Sequence, residues 1–256
     1  MKDVTNRVFP LCRLCREREA SCKAHIVPRQ FYHRMRSGAP NLALIDPQNP
    51  HRKLASQSGI HEQGLLCAEC DSQIGILDKY AYAVLPENPE ESKIYPLPRL
   101  KKAYIYNMGN IDTQKFLQFI VSLLWRAGIS KNQFFEWVKL GPYEKRLREY
   151  LLSDISIPKP EIGVIVFLFK PPEFERIMFH PNKCKILGLN FLIFYLYPWK
   201  LVIKLDRRPF EYPFKDIQLV VGRDGIAIVQ NHFTKGEAKY LAELRLKLLK
   251  GGSLQY

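Results

Sequence analysis

The clearest hydrophobic period in the chain begins at Thr113. Phe116, Ile120, Leu123, Leu124 and Ala127 share one stripe there and predict a helix that ends near Gly128. A weaker helical stripe of Ile74, Leu77 and Ala81 follows Leu65, interrupted by Gly75. Two short helices are predicted over Asn132–Leu140 and Pro142–Leu152, the second with its proline in the first turn, where a missing N–H is tolerated. Beyond Pro160 the period changes. Ile162–Lys170, Phe174–Phe179, Leu189–Tyr197, Lys200–Leu205 and Ile217–Gln230 are rich in β-branched and aromatic residues and read as strands. Tyr197-Pro-Trp199 and Gly222-Arg-Asp-Gly225 supply turns among them. The last segment, Lys235–Lys250, reads as an amphipathic helix with a basic face, most simply a solvated one.

Breaks in the pattern divide the chain. Residues 1–36 read as a cysteine knuckle followed by a short strand and turn. Residues 37–60 hold Gly38, Pro40, Pro47, Pro50 and Gly59 among polar residues, the composition of an irregular insertion. Residues 86–98 carry four prolines in thirteen positions, which excludes regular structure and marks a module boundary. The expected organisation is α+β: a zinc-stapled finger over residues 1–85, a proline-rich linker over 86–98, and an α+β accessory domain over 99–256 that is first helical and then β-rich.

Composition changes this picture in two ways. With 256 residues and 46% hydrophobic content the chain can bury a sizeable core, so zinc is needed only to staple a local segment. Lys and Arg number 39 against 25 acids, and this balance favours an anionic partner, most commonly nucleic acid. The excess is spread along the chain in rough proportion to length, so charge does not say which part touches a phosphate. Lys2, Asp3 and Arg7 open the chain with no apolar stretch behind them, and no secretory signal is expected. The most apolar run, Ile186–Trp199, is too short for a spanning helix and suits a buried hairpin. A cytoplasmic protein with no membrane partner is the expectation, and there paired cysteines are metal ligands more often than disulfides.

Cys12-Arg-Leu-Cys15 and Cys67-Ala-Glu-Cys70 are the most specific motif in the chain. A Cys-x-x-Cys loop brings two sulfurs to two corners of a tetrahedron with Zn–S bonds of about 2.3 Å, and two such loops close the shell. A closed site of four thiolates is structural. No βαβ pattern surrounds either pair, which argues against a redox motif. Cys22 and Cys184 have no partner by spacing and read as bland neighbours.

Between the knuckles stands Ser21-Cys-Lys-Ala-His25-Ile-Val-Pro28-Arg29. A histidine followed by β-branched residues and proline, set between two zinc knuckles, resembles the HNH nuclease motif of the ββα-metal (His-Me finger) superfamily. Gly64-Leu-Leu-Cys-Ala-Glu-Cys-Asp71, Asp78-Lys-Tyr-Ala and Ser122-Leu-Leu-Trp-Arg126-Ala are similar to motifs of a poorly characterised bacterial group of HNH-like proteins. The likeness covers residues 12–82 and the region around 116–150.

The resemblance implies a β-hairpin carrying His25 as general base, a helix opened by the second knuckle, and Asp71 as ligand to a catalytic Mg²⁺ or Mn²⁺. Asp78 is a further candidate ligand, although seven residues of helix set it about 10 Å from Asp71. Arg29, Lys23 and Arg126 are the candidate contacts to nucleic acid, expected to be DNA, with a role in bacterial defence in view. Two positions depart from the pattern. Ala24 stands where many HNH proteins place a second metal-binding Asp or His, and Glu62 stands at the usual Asn. Glu62, His61 and Asp78 are the groups that could compensate. The alternative expectation is a non-catalytic zinc-stapled module that binds nucleic acid or protein around a degenerate site. In either reading the C-terminal part supplies substrate or protein-partner contacts.

Overall fold

The structure is a computed structural model that describes residues 9–45, 53–90, 93–96, 103–106, 111–153, 161–169, 176–212, 214–223 and 225–230, with residues 242 and 246. The expected helix at 235–250 therefore lies outside the described residues, apart from those last two positions.

Strand β1 (Lys23–His25) pairs antiparallel with β4 (His61–Gln63), setting Ala24 opposite Glu62 and His25 opposite His61. The intervening chain, expected to be a turn up to residue 36 and an irregular insertion over 37–60, instead folds into helix α1 (Arg29–Arg36) and strands β2 (Leu42–Ile45) and β3 (Lys53–Ser56). Pro28, with φ −56°, leads into α1 and buries with Phe31, Tyr32 and Met35. The helix stops after two turns at Ser37 in the left-handed region, followed by Gly38. Two turns are too few for the hydrophobic period to register. Strand β2 is held by β3 on one side and, in parallel, by the distant β8 (Ile177–Phe179) on the other. A partner more than 130 residues away leaves no local trace in β2.

Helix α2 (Ala68–Val84) begins at the second knuckle and packs on α3 (Thr113–Ile129). Asp112 caps α3 by accepting the Lys115 N–H at 2.9 Å. Nearly every side chain of α3 from Phe116 to Ala127 is buried, as befits a helix enclosed on all sides. The helix expected over 132–140 is a single 3₁₀ turn, Gln133–Phe135, and α4 (Tyr143–Leu152) follows. Gly128 is needed for close packing: a Cβ there would lie 2.2 Å from Leu140.

Most of the β-rich part joins two earlier strands in one seven-stranded sheet, and one of those two lies within the stretch 86–98, expected to hold no regular structure. The strands of this sheet are β5 (Ile94–Pro96), β6 (Ala103–Tyr106), β7 (Ile162–Leu168), β9 (Asn182–Ile186), β10 (Leu189–Leu196), β11 (Trp199–Leu205) and β12 (Ile226–Gln230). They run in the order β5-β6-β12-β7-β11-β10-β9, antiparallel except for β12 with β7. The apolar run 186–199 supplies most of the β10–β11 hairpin, and both strands are buried almost throughout. The strand expected over 217–230 resolves into a short helix, α5 (Phe214–Ile217), and β12. Among the described residues, no helix is long and apolar enough to cross a membrane.

The boundary expected at 86–98 does not separate two cores. One hydrophobic cluster includes Phe31, Ile74, Phe119, Val166 and Trp199. Phe31 stacks on Phe119 at 6.1 Å, and the Trp199 indole donates to the Pro86 carbonyl at 2.7 Å. The firmest tie is ionic. Arg126, 1% exposed on α3, donates to both carboxylate oxygens of Asp78 on α2 at 2.9 and 2.6 Å, and to the His25 carbonyl at 2.8 Å. Asp78→Ala or Arg126→Met strands a buried charge and should each lower unfolding free energy by about 3–5 kcal/mol in urea titration. The double variant should lose clearly less than the sum; simple additivity would deny the coupling.

Candidate functional site

The first knuckle is a tight loop closed by the Leu11–Glu19 bridge, with the Cys12 N–H donating to the Arg18 carbonyl at 2.7 Å and Arg16 in the left-handed region at φ 65°. The second is the start of α2, where Cys67 is the N-cap residue and Cys70 lies in the first turn. Backbone hydrogen bonds bind one to the other: Arg13 N–H to the Leu65 carbonyl at 2.8 Å, and Cys22 N–H to the Leu66 carbonyl at 3.2 Å. Arg148 of α4 adds a bond that the sequence does not announce. Its guanidinium donates to the Leu14 carbonyl at 2.6 Å, with longer contacts to Arg13 and Cys15, fastening the first knuckle to the helical segment.

These constraints bring all four sulfurs within 4.8 Å of one another, with Cys15 and Cys67 3.9 Å apart. A tetrahedral tetrathiolate with bonds of about 2.3 Å has sulfur–sulfur edges of about 3.8 Å, so the group can hold a metal ion such as zinc. Burial works against the Cys15 thiolate, but the Glu17 and Arg18 N–H groups outweigh it and bring its pKa down to about 6. Cys70 is pushed upward by burial and then by the neighbouring sulfurs. Four thiols at this spacing cannot all ionise against one another, and a divalent cation among them removes that conflict.

His25 ends β1 and is half-buried. Its Nε2 lies 3.1 Å from the Ser58 carbonyl. A carbonyl only accepts, so Nε2 carries the proton and Nδ1 holds the lone pair. Burial pushes the His25 pKa down first of all. The Ser58 bond and the Asp71 charge act upward, and His61 and Arg29 act downward. Asp71 lies in the first turn of α2, and burial raises its pKa. Arg126 and His25 pull the other way and Asp78 adds to the rise. His25 and Asp71 thus stand within each other's electrostatic reach.

The Ser58 carbonyl, absent from the expected site, is placed by Gly59. That residue sits at φ +86°, and a Cβ on it would lie 2.1 Å from the Tyr32 ring. The Ser56 hydroxyl receives the Gly59 N–H at 2.9 Å. Gly59 is the one sequence signal for this turn, and nothing local says that its purpose is to aim a carbonyl at His25.

Other expected site residues separate by environment. Lys23 is exposed on β1, and Arg29 is exposed at the start of α1. Asp78 and Arg126 are corrections. Asp78 has both oxygens engaged by Arg126, and the guanidinium is enclosed, so neither faces a metal or a phosphate. Glu62 is likewise engaged, accepting from the Ser130 hydroxyl at 2.7 Å and the Lys131 N–H at 3.0 Å. Ala24 is fully buried. Of the groups that could replace its missing ligand, His61 remains: it is exposed, pairs across the strands with His25, and its ring centroid lies 5.6 Å from the His25 ring. Among the described residues the four cysteines are the only group of three or more candidate ligands drawn together, so His25, His61 and Asp71 do not form a closed cage.

No protein-family model matches the chain, and no curated protein or solved structure matches it either.

Elemental analysis of purified protein should find one tightly held metal ion per chain. Cys70→Ser should lose it and lower the melting temperature, while Cys184→Ser should keep it; retention by Cys70→Ser would rule out the four-thiolate site.

Proposed function

We propose that this protein is a metal-dependent endonuclease of the HNH type, with zinc in the four-thiolate site and β1, β4 and α2 serving as its ββα finger. The observation that carries the reading is the orientation of His25: its Nε2 proton is committed to Ser58, which leaves a basic Nδ1 on a half-buried ring within electrostatic reach of Asp71. The neutral form that burial favours is the form a general base requires.

In this reading His25 Nδ1 takes a proton from a water molecule in line with the scissile phosphorus. Asp71 would hold the catalytic cation, and His61, across the strand pair from His25, is the remaining candidate ligand. Mg²⁺ or Mn²⁺ held there would supply charge neutralisation for the reacting phosphate. Such hard cations keep much of their water and need few protein ligands, which is compatible with a site short of a cage. The zinc clip fixes α2 against the strands, so base and ligand keep their relative position. The basic charge balance favours nucleic acid as the substrate class, with DNA as the expected form, and cysteines gathered as metal ligands suit a reducing, cytoplasmic setting.

A second reading has its own support. Ala24 is buried and offers no ligand, which favours a non-catalytic zinc-stapled binding module. The two separate in one assay. Wild type with a filled thiolate site should cleave DNA with added Mg²⁺ or Mn²⁺, and His25→Ala should lower the rate by about 10²–10⁴-fold with metal content and melting temperature unchanged. A wild type that binds DNA and cleaves nothing would establish the binding module instead. The rate should rise with pH as His25 loses its proton and level off by neutrality, with its inflection below the ordinary imidazole value of about 6.5. An inflection well above that value would exclude His25 as the base.

A further inference from the structure

A charged feature beside this site has no part in the chemistry above. The chain between β1 and β4, residues 26–60, holds five Lys and Arg residues against one acid, Asp46. Three of its basic side chains, Arg29, His33 and Arg36, fall four and three residues apart on α1 and meet one another. The Arg29 Nε donates to the His33 Nε2 at 3.1 Å, and an outer nitrogen of Arg36 lies 3.2 Å from the His33 Nδ1. Arg36 is braced from behind by the Gln57 carbonyl at 2.9 Å. Arg34 on the same helix is used differently, donating to carbonyls at the end of α2 and lying over the Tyr82 ring.

The arrangement is incomplete as a set of hydrogen bonds. A neutral imidazole has one lone pair and one N–H, and here both nitrogens face guanidinium donors. One contact is satisfied and the other sets donor against donor. Among the described residues no carboxylate pairs with Arg29, His33 or Arg36, and the outer nitrogens of Arg29 donate to nothing. Two guanidinium groups held against one ring without an anion repel each other. An oxyanion with several acceptor oxygens relieves both defects, and phosphate fits the fork geometry of arginine.

Position identifies the source of that phosphate. Arg29 opens α1 four residues after His25, and its charge is felt at the His25 ring. From Arg29 to Arg36 the helix advances roughly 10 Å, enough to meet two neighbouring phosphates of one strand. We propose that the Arg29–His33–Arg36 face of α1 binds the sugar–phosphate backbone of DNA beside the phosphate presented to His25, and sets the register of the strand. The inference takes its ligand class from the nuclease reading but does not need cleavage to occur.

The test is binding of full-length protein to a short fluorescein-labelled DNA duplex without added divalent metal, at salt between about 50 and 200 mM. Arg29→Gln and Arg36→Gln should each weaken binding severalfold and flatten the plot of log affinity against log salt by about 0.9 for each phosphate no longer neutralised. Lys145→Gln, an exposed change on α4, should leave the slope unaltered. Circular dichroism melting checks the fold; if Arg36→Gln unfolds, Arg29→Gln decides alone, since among the described residues the Arg29 side chain hydrogen-bonds to His33 and to no other group. An unchanged slope in a folded Arg29→Gln variant, or no DNA binding by wild type, overturns the proposal. Wild type that binds with an arginine-dependent slope but never cleaves sustains this site and removes the nuclease. Cleavage with an arginine-independent slope does the reverse.

Discussion

The buried pair of Arg126 and Asp78 is the constraint on which the rest of the arrangement turns. A guanidinium with 1% exposure is tolerable only when its donors are met, and they are met by α2 and by the carbonyl of His25. Three elements distant in sequence are thereby fixed at one point. The same contact sets the electrostatics of the site. The Arg126 charge lowers the Asp71 pKa against the rise from burial and from Asp78. A residue that resembled a phosphate ligand thus acts from behind, through the helix and strand that carry the candidate groups.

The four-cysteine group addresses the same problem from the start of α2. The first knuckle belongs to a loop with little core of its own, and the second belongs to a helix packed deep in the protein. A metal ion joining them through thiolates would transfer the rigidity of the core to the loop, and Arg148 makes a parallel connection through the Leu14 carbonyl. The hairpin between the knuckles then has fixed supports on both sides. This is why a 35-residue excursion of α1, β2 and β3 can be inserted between paired strands without loosening His25. The excursion is itself anchored, by β8 in parallel with β2 and by Phe31 against Phe119.

The candidate site divides labour among residues that look alike in sequence. Asp71 and Asp78 share a helix, yet one is half-buried within reach of His25 and the other is consumed by a cation. His25 and His61 face each other across a strand pair, one half-buried and oriented by Ser58, the other exposed. Among the arginines, Arg126 and Arg34 serve the interior, while Arg29 and Arg36 converge on His33 at the surface. Burial and the identity of the nearest acceptor decide each role.

Local pattern alone determined a good deal about this protein. The cysteine spacing specified the thiolate group, because a two-residue loop has few ways to place its sulfurs. The stripe of α3 and the apolar run of β10 and β11 specified long, buried elements, because many residues repeat the same signal. The α+β character follows from those runs, and the two-turn helix α1 and the three-residue strands escaped because so few residues carry no period. Tertiary structure decided the rest. Only the fold could show that one continuous core takes in residues on both sides of the proline-rich stretch, that β2 has a parallel partner, and that Gly59 turns a carbonyl toward His25. It alone separated the ionisable residues into structural and available ones, because the charge a side chain must answer lies on another element, and sequence distance does not record which elements touch.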